Sequence, residues 1–145
     1  MDLMRSIQEE QDAIVHEFEA FDDWLDRYEY LIELSEELAP LDPKYKSAEY
    51  LIQGCQSRVW LMAEMKEGRV VFSAETDALI TKGIVALLIR VLSGKTPEDI
   101  INADLFFVEK IGLRQNLSPT RSNGLLAMLK QMKLYALALR MKNEE

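Results

Sequence analysis

Ile7, Ile14, Phe18 and Phe21 recur at intervals of three, four and seven in an otherwise polar stretch, which predicts an amphipathic helix from Ile7 to about Phe21. Ser6, with Glu9 three residues on, is a capping-box pair at its start. The residues before it carry no pattern, so the first six are expected to fray. A second helix is predicted from about Asp23 to Leu38, with Trp24, Tyr28, Leu31 and Ile32 on one side, and Pro40 and Pro43 end it. Ala39 to Ala48 is a polar connection. The period then changes to two. Val59, Leu61, Ala63 and Met65 share one face, Val70, Phe72 and Ala74 alternate likewise, and Glu67-Gly68 lies between, the pattern of an antiparallel hairpin. Asp77 to Val91 is apolar on nearly every side, which predicts a buried helix with Thr76 as N-cap and Gly94 as its stop. Gly83 inside it predicts close backbone packing, since glycine there costs about 1 kcal/mol against alanine. Thr96-Pro97 opens a short helix, and Ser118-Pro119 opens a long one whose stripe is Leu125, Met128, Leu129, Met132, Tyr135, Ala136 and Leu139. The fold class is α+β. We expect one domain over residues 1–145, a small antiparallel sheet covered on one face and packed against helices from both ends of the chain.

With 145 residues, 48% of them hydrophobic and 29% charged, the chain can bury a core and is not disordered. A net charge of -8 opposes phosphate binding, which argues against nucleic acid and anionic membranes as partners. No apolar run reaches the roughly 18–20 residues of a membrane helix, and the N-terminus lacks a signal-peptide profile, so the expected location is cytoplasmic. Cysteine usage narrows the chemistry most. Cys55 is the one cysteine, which excludes an internal disulfide, a C-x-x-C pair, a cysteine zinc site and an iron–sulfur cluster held by this chain alone.

A lone cysteine is most often a small buried apolar residue. Here it sits in a loop, Gly54 before it permits unusual dihedrals, and Gln56, Ser57 and Arg58 offer donors that favour a thiolate. A cysteine–histidine dyad would have to use His16, which lies on the side of Asp12 and Glu19 and faces water, so cysteine-protease chemistry is not expected. The acidic runs at Gln8 to Asp12, Asp22-Asp23 and Glu36-Glu37 read as solvated surface rather than metal sites. Met128 and Met132 fall on the core stripe and read as core filling. No glycine-rich phosphate loop is present.

The run Ile52-Gln53-Gly54-Cys55-Gln56-Ser57-Arg58-Val59-Trp60 resembles the signature of the SufE family of sulfur acceptors. Three further motifs match in order. Trp24 with Tyr28 to Leu34 resembles its first conserved helix, Asp77-Ala78 with Lys82-Gly83 the start of its buried helix, and Ser118 to Gly124 its C-terminal motif. The resemblance covers about residues 20–140 and implies a fold similar to the U-type scaffold proteins. It implies that Cys55 takes a persulfide from a SufS-type cysteine desulfurase, stimulates that enzyme, and hands sulfur to a SufBCD-type iron–sulfur scaffold complex. Gly54, Gln56, Arg58 and Arg121 would support the thiol or the docking face. The protein would need no cofactor of its own, pyridoxal phosphate belonging to the desulfurase. One cysteine suits a carrier, because a second thiol would collapse the persulfide to a disulfide. Two other readings remain open: a one-cysteine peroxidase working through a sulfenic acid, and an inert interaction module with a core cysteine.

Overall fold

The first helix begins as its sequence requires. Ser6 Oγ accepts from the Glu9 N–H at 3.0 Å, and the Glu9 carboxylate accepts from the Ser6 N–H at 2.9 Å. This is a computed structural model, which describes residues 5–53 and 57–143. Helix α1 spans Ile7–Phe18 and α2 spans Trp24–Ser35, with the Asp23 carboxylate accepting from the Leu25 N–H at 2.8 Å. Both stop three residues short of their expected ends, because the chain tightens there. Ala20 and Phe21 donate to Glu17 and Phe18, and Glu36, Glu37 and Leu38 donate to Glu33, Leu34 and Ser35, which are three-residue rather than four-residue closures. The apolar side of α2 also differs. Leu31 and Leu34 are buried, whereas Ile32 is 38% exposed, since one further residue turns it about 100° away from the core.

Strands β1 (Val59–Lys66) and β2 (Arg69–Thr76) pair antiparallel with Lys66 opposite Arg69. The two-residue turn between them has positive φ at both Glu67 (52°) and Gly68 (79°), which matches the right-handed twist of the strands. Helix α3 spans Leu79–Leu92 and starts two residues later than expected. Thr76 is not its N-cap, because Thr76 is still paired as the last residue of β2 and its Oγ accepts from the Ala78 N–H at 3.4 Å. Helix α4 (Pro97–Ile101) is capped by Thr96, whose Oγ accepts from the Asp99 N–H. Two single turns follow, α5 (Phe107–Lys110) and α6 (Leu113–Asn116), too short to show a period in the sequence. Helix α7 runs from Pro119 to Asn143.

The sheet lies against α3 through β2 and against α7 through β1, while α1 and α2 pack on α3, and α4 on α7. The C-terminal helix therefore reaches the sheet directly, and the N-terminal helices mainly by way of α3. Val59, Leu61, Val70, Phe72 and Ala74 from the sheet join one hydrophobic core with residues of the helices, Met128 and Met132 among them. The acidic run at Gln8 to Asp12 is less solvated than its composition suggests. Gln11 is buried, donates to the Asp104 carbonyl at 3.1 Å and accepts from the Phe107 N–H at 3.1 Å, so it pins the start of α5 to α1. Glu10 and Glu17 hold Arg90 of α3 in a charged cluster.

Candidate functional site

The loop that contains position 55 leaves the core on paired feet. Ile52 donates its N–H to the Val59 carbonyl at 2.9 Å, Leu51 bridges Trp60 antiparallel, and Ile52 and Val59 are both buried. Ile52 and Val59, which flank this segment, are thus held together by the core. Gly54, Cys55 and Gln56, three of the residues singled out from the sequence, lie outside the described residues.

Ser57, two positions after Cys55, lines a cleft of about 360 Å³ between this loop, α3 and α7. Thr81 and Ile84 form the α3 wall, and Thr120, Arg121, Gly124 and Met128 the α7 wall. Arg121 is the one charged side chain among the described lining residues. It is exposed, and its backbone N–H donates to Ser118 Oγ at 3.3 Å in the first turn of α7. Ser57, Thr81 and Thr120 add three hydroxyls, and Ile84 and Met128 supply an apolar floor. A cation and hydroxyl donors over a poorly solvated floor favour an anionic group, since charge-assisted hydrogen bonds gain strength where water is reduced.

Arg58 and Arg121, both expected to support the thiol or the docking face, have different surroundings. Arg58 is engaged elsewhere, 3.6 Å from the Asp77 carboxylate and 5.3 Å from the centre of the Trp60 ring. Arg121 is the one that shares a cleft with the loop. His16 is 89% exposed at its side chain and pairs with Glu19 at 3.6 Å, on a helix that contributes nothing to the cleft. Among the described residues no cluster of three or more His, Cys, Asp or Glu could hold a metal ion, and no helix is long and apolar enough to cross a membrane. Thr81 and Thr120 were not singled out from the sequence. Thr120 sits inside a matched motif and Thr81 between the matched Asp77-Ala78 and Lys82-Gly83, but neither position shows which way its hydroxyl faces.

A family model for the SufE domain, described as an Fe-S metabolism associated domain, matches residues 12–136. The chain belongs to the SufE family. The match begins in α1, earlier than the four motifs alone indicated. SufE-like protein 1, chloroplastic/mitochondrial, from Arabidopsis thaliana is 42% identical over 133 residues, which is 91% of this chain and 36% of that protein. The chain thus spans about a third of the length of this relative. The solution structure of a hypothetical protein from Thermus thermophilus superposes with a TM-score of 0.76 at 22% identity, over 91% of this chain and 96% of that one, a likeness of fold.

Proposed function

We propose that this SufE-family chain is a sulfur acceptor whose carrier is the Cys55 thiolate. The thiolate attacks the outer sulfur of a persulfide on a cysteine desulfurase. A new S–S bond forms on Cys55, the donor's S–S bond breaks, and its electron pair stays with the desulfurase cysteine as thiolate. Sulfur is transferred without net oxidation, and no second thiol in this chain competes for it. The observation that carries the reading is the cleft at Ser57. Ser57 stands two residues after Cys55 in the sequence and lines this cleft together with Arg121, Thr81 and Thr120, which supports a site for the thiol there. A cation there favours both the attacking thiolate and the anionic persulfide. In the same proposal, clearing the donor's persulfide speeds the desulfurase, and the sulfur passes on to an iron–sulfur assembly scaffold.

The test is mass spectrometry of the chain after incubation with a cysteine desulfurase, pyridoxal phosphate and cysteine. One added sulfur atom, lost on reduction and absent from Cys55→Ser, is the expected result. A Cys55→Ser protein that still gains sulfur would overturn the reading. Alanine release by the desulfurase, with and without the chain, tests the stimulation separately.

A further inference from the structure

The two ends of this chain carry opposite charge. Between Ser6 and Pro43 the only Lys or Arg is Arg27, whereas α7 has no Asp or Glu along its 25 residues and carries Arg121, Lys130, Lys133, Arg140 and Lys142. Each end also exposes an apolar strip. On α2, Leu25 is 64% exposed and Ile32 38%, seven residues apart and so on one face, with Glu29 between them and Glu33 beside them. Neither glutamate enters an ion pair among the described residues. On α7, Leu126 and Leu134 are each 47% exposed and border a groove of about 370 Å³ that Ile101 and Leu137 help to line. Lys130 and Lys133 rim this groove. Lys133 Nζ donates to the Ala103 carbonyl at 2.6 Å, and neither lysine enters an ion pair among the described residues.

The two strips match in length as well as in charge. At 1.5 Å per residue, Leu25 to Ile32 spans about 10 Å and Leu126 to Leu134 about 12 Å. We propose that α2 of one copy docks in the α7–α4 groove of a second copy, with Leu25 and Ile32 entering the groove and Glu29 and Glu33 facing Lys130 and Lys133. The two surfaces are different, so the contact is head to tail and each pair leaves one α2 face and one groove open. Leu126 and Lys130 stand about 200° round α7 from Gly124 and Met128, so docking leaves the Arg121 cleft accessible.

A contact of this size associates weakly, so sedimentation equilibrium of the full chain is taken up to about 1 mM. The expected result is a weight-average mass that rises with concentration above the 16.7 kDa of one chain. Two variants separate the surfaces: Leu25→Glu with Ile32→Glu on α2, and Leu126→Glu with Leu134→Glu on the groove. All four positions are exposed, so both proteins keep the wild-type circular dichroism, and each alone loses association at least about ten-fold. Mixed in equal amounts they form a one-to-one dimer that grows no further, because each supplies the surface the other lacks. Lys130→Glu, a surface charge change that does not threaten the fold, weakens association in the same direction. A wild-type chain that stays monomeric up to about 1 mM overturns the proposal. So does association that survives the α2 substitutions, or a mixture that stays monomeric while the wild type associates.

Discussion

Replacing Gly83 by alanine adds one methyl group where the α3 backbone meets the Leu31 main chain of α2. Its carbon would lie 2.2 Å from the Leu31 carbonyl oxygen, 2.8 Å from the Leu31 carbonyl carbon and 3.2 Å from its Cα. Carbon makes good contact at about 3.5 Å, so the Leu31 backbone has to retreat by roughly 1 Å. No rotamer change relieves this, because every atom met is main chain. The whole of α2 must shift along the surface that buries Leu31 and Leu34. Overpacking of this kind costs about 1–3 kcal/mol or more, and the gain in helix propensity returns only about 1 kcal/mol. We expect a net loss near 2 kcal/mol, or a fall in Tm of roughly 5–10 °C for a chain of this length. Thermal and urea unfolding followed by circular dichroism measure it. Gly94→Ala is the control: Gly94 has φ +79° and nothing within 4 Å of an added Cβ, so it tests backbone conformation without a clash. A Gly83→Ala protein as stable as wild type would refute the steric argument. Thr81 and Ile84 flank Gly83 on α3 and line the cleft, so the same substitution should also slow sulfur uptake by the folded fraction.

Arg121→Ala should keep its Tm within a few degrees, because the side chain is exposed, while the rate of sulfur uptake falls about ten-fold or more; equal rates at limiting desulfurase would return Arg121 to the inert surface. Gln11→Leu should lower stability by about 2–4 kcal/mol, since it strands the Phe107 N–H and the Asp104 carbonyl, and a urea midpoint equal to wild type would contradict that. The hydrogen bond from Arg90 holds the Glu17 carboxyl below its usual value of 4.5, with a second from Tyr30 adding to it. Stability from this group is present above pH 4.5 and lost as pH falls through the lower folded value. The Tm gap between wild type and Glu17→Gln should therefore narrow on acidification below pH 4.5, and a constant gap from pH 6 to pH 3 would show that the cluster contributes nothing.

Elements with a long or strict period were legible in the sequence. The hairpin register follows from two-residue alternation and the Glu67-Gly68 turn, and α7 from its stripe. Gly83 was legible because an interior glycine has a cost that only close packing offsets, and Leu31 is the backbone it meets. What escaped is held by contacts remote in the chain. The turns α5 and α6 have no period to read, and α5 is pinned by Gln11 across more than ninety residues. Gln11 itself was hidden within an acidic run, where a buried amide and a solvated one have the same composition. The cleft was half legible. Sequence could place Arg121 off the α7 stripe, but not show that it lines a cleft with Ser57. Nor could it show that the Arg58 side chain, one residue after Ser57, lies against Asp77 and Trp60.

The proposed sulfur handover would make opposing demands on such a site: a thiol that can meet a partner's persulfide, and walls that keep their charge and shape when it does. The described contacts place the rigidity in the walls and in the feet of the loop. Tyr135 of α7 donates its hydroxyl to the Leu61 carbonyl of β1 at 2.9 Å, and Met128 and Met132 are buried below it, so the α7 wall and the strand leading from the loop are one body. The Ile52–Val59 hydrogen bond fixes where the loop leaves that body, and the Gly83–Leu31 approach fixes the α3 wall against α2. Arg121 stands in the first turn of α7 on the exposed end of this frame. Substitutions in the frame should act on stability and uptake together, whereas Arg121→Ala should act on uptake alone, and that difference separates a positioned charge from a structural one.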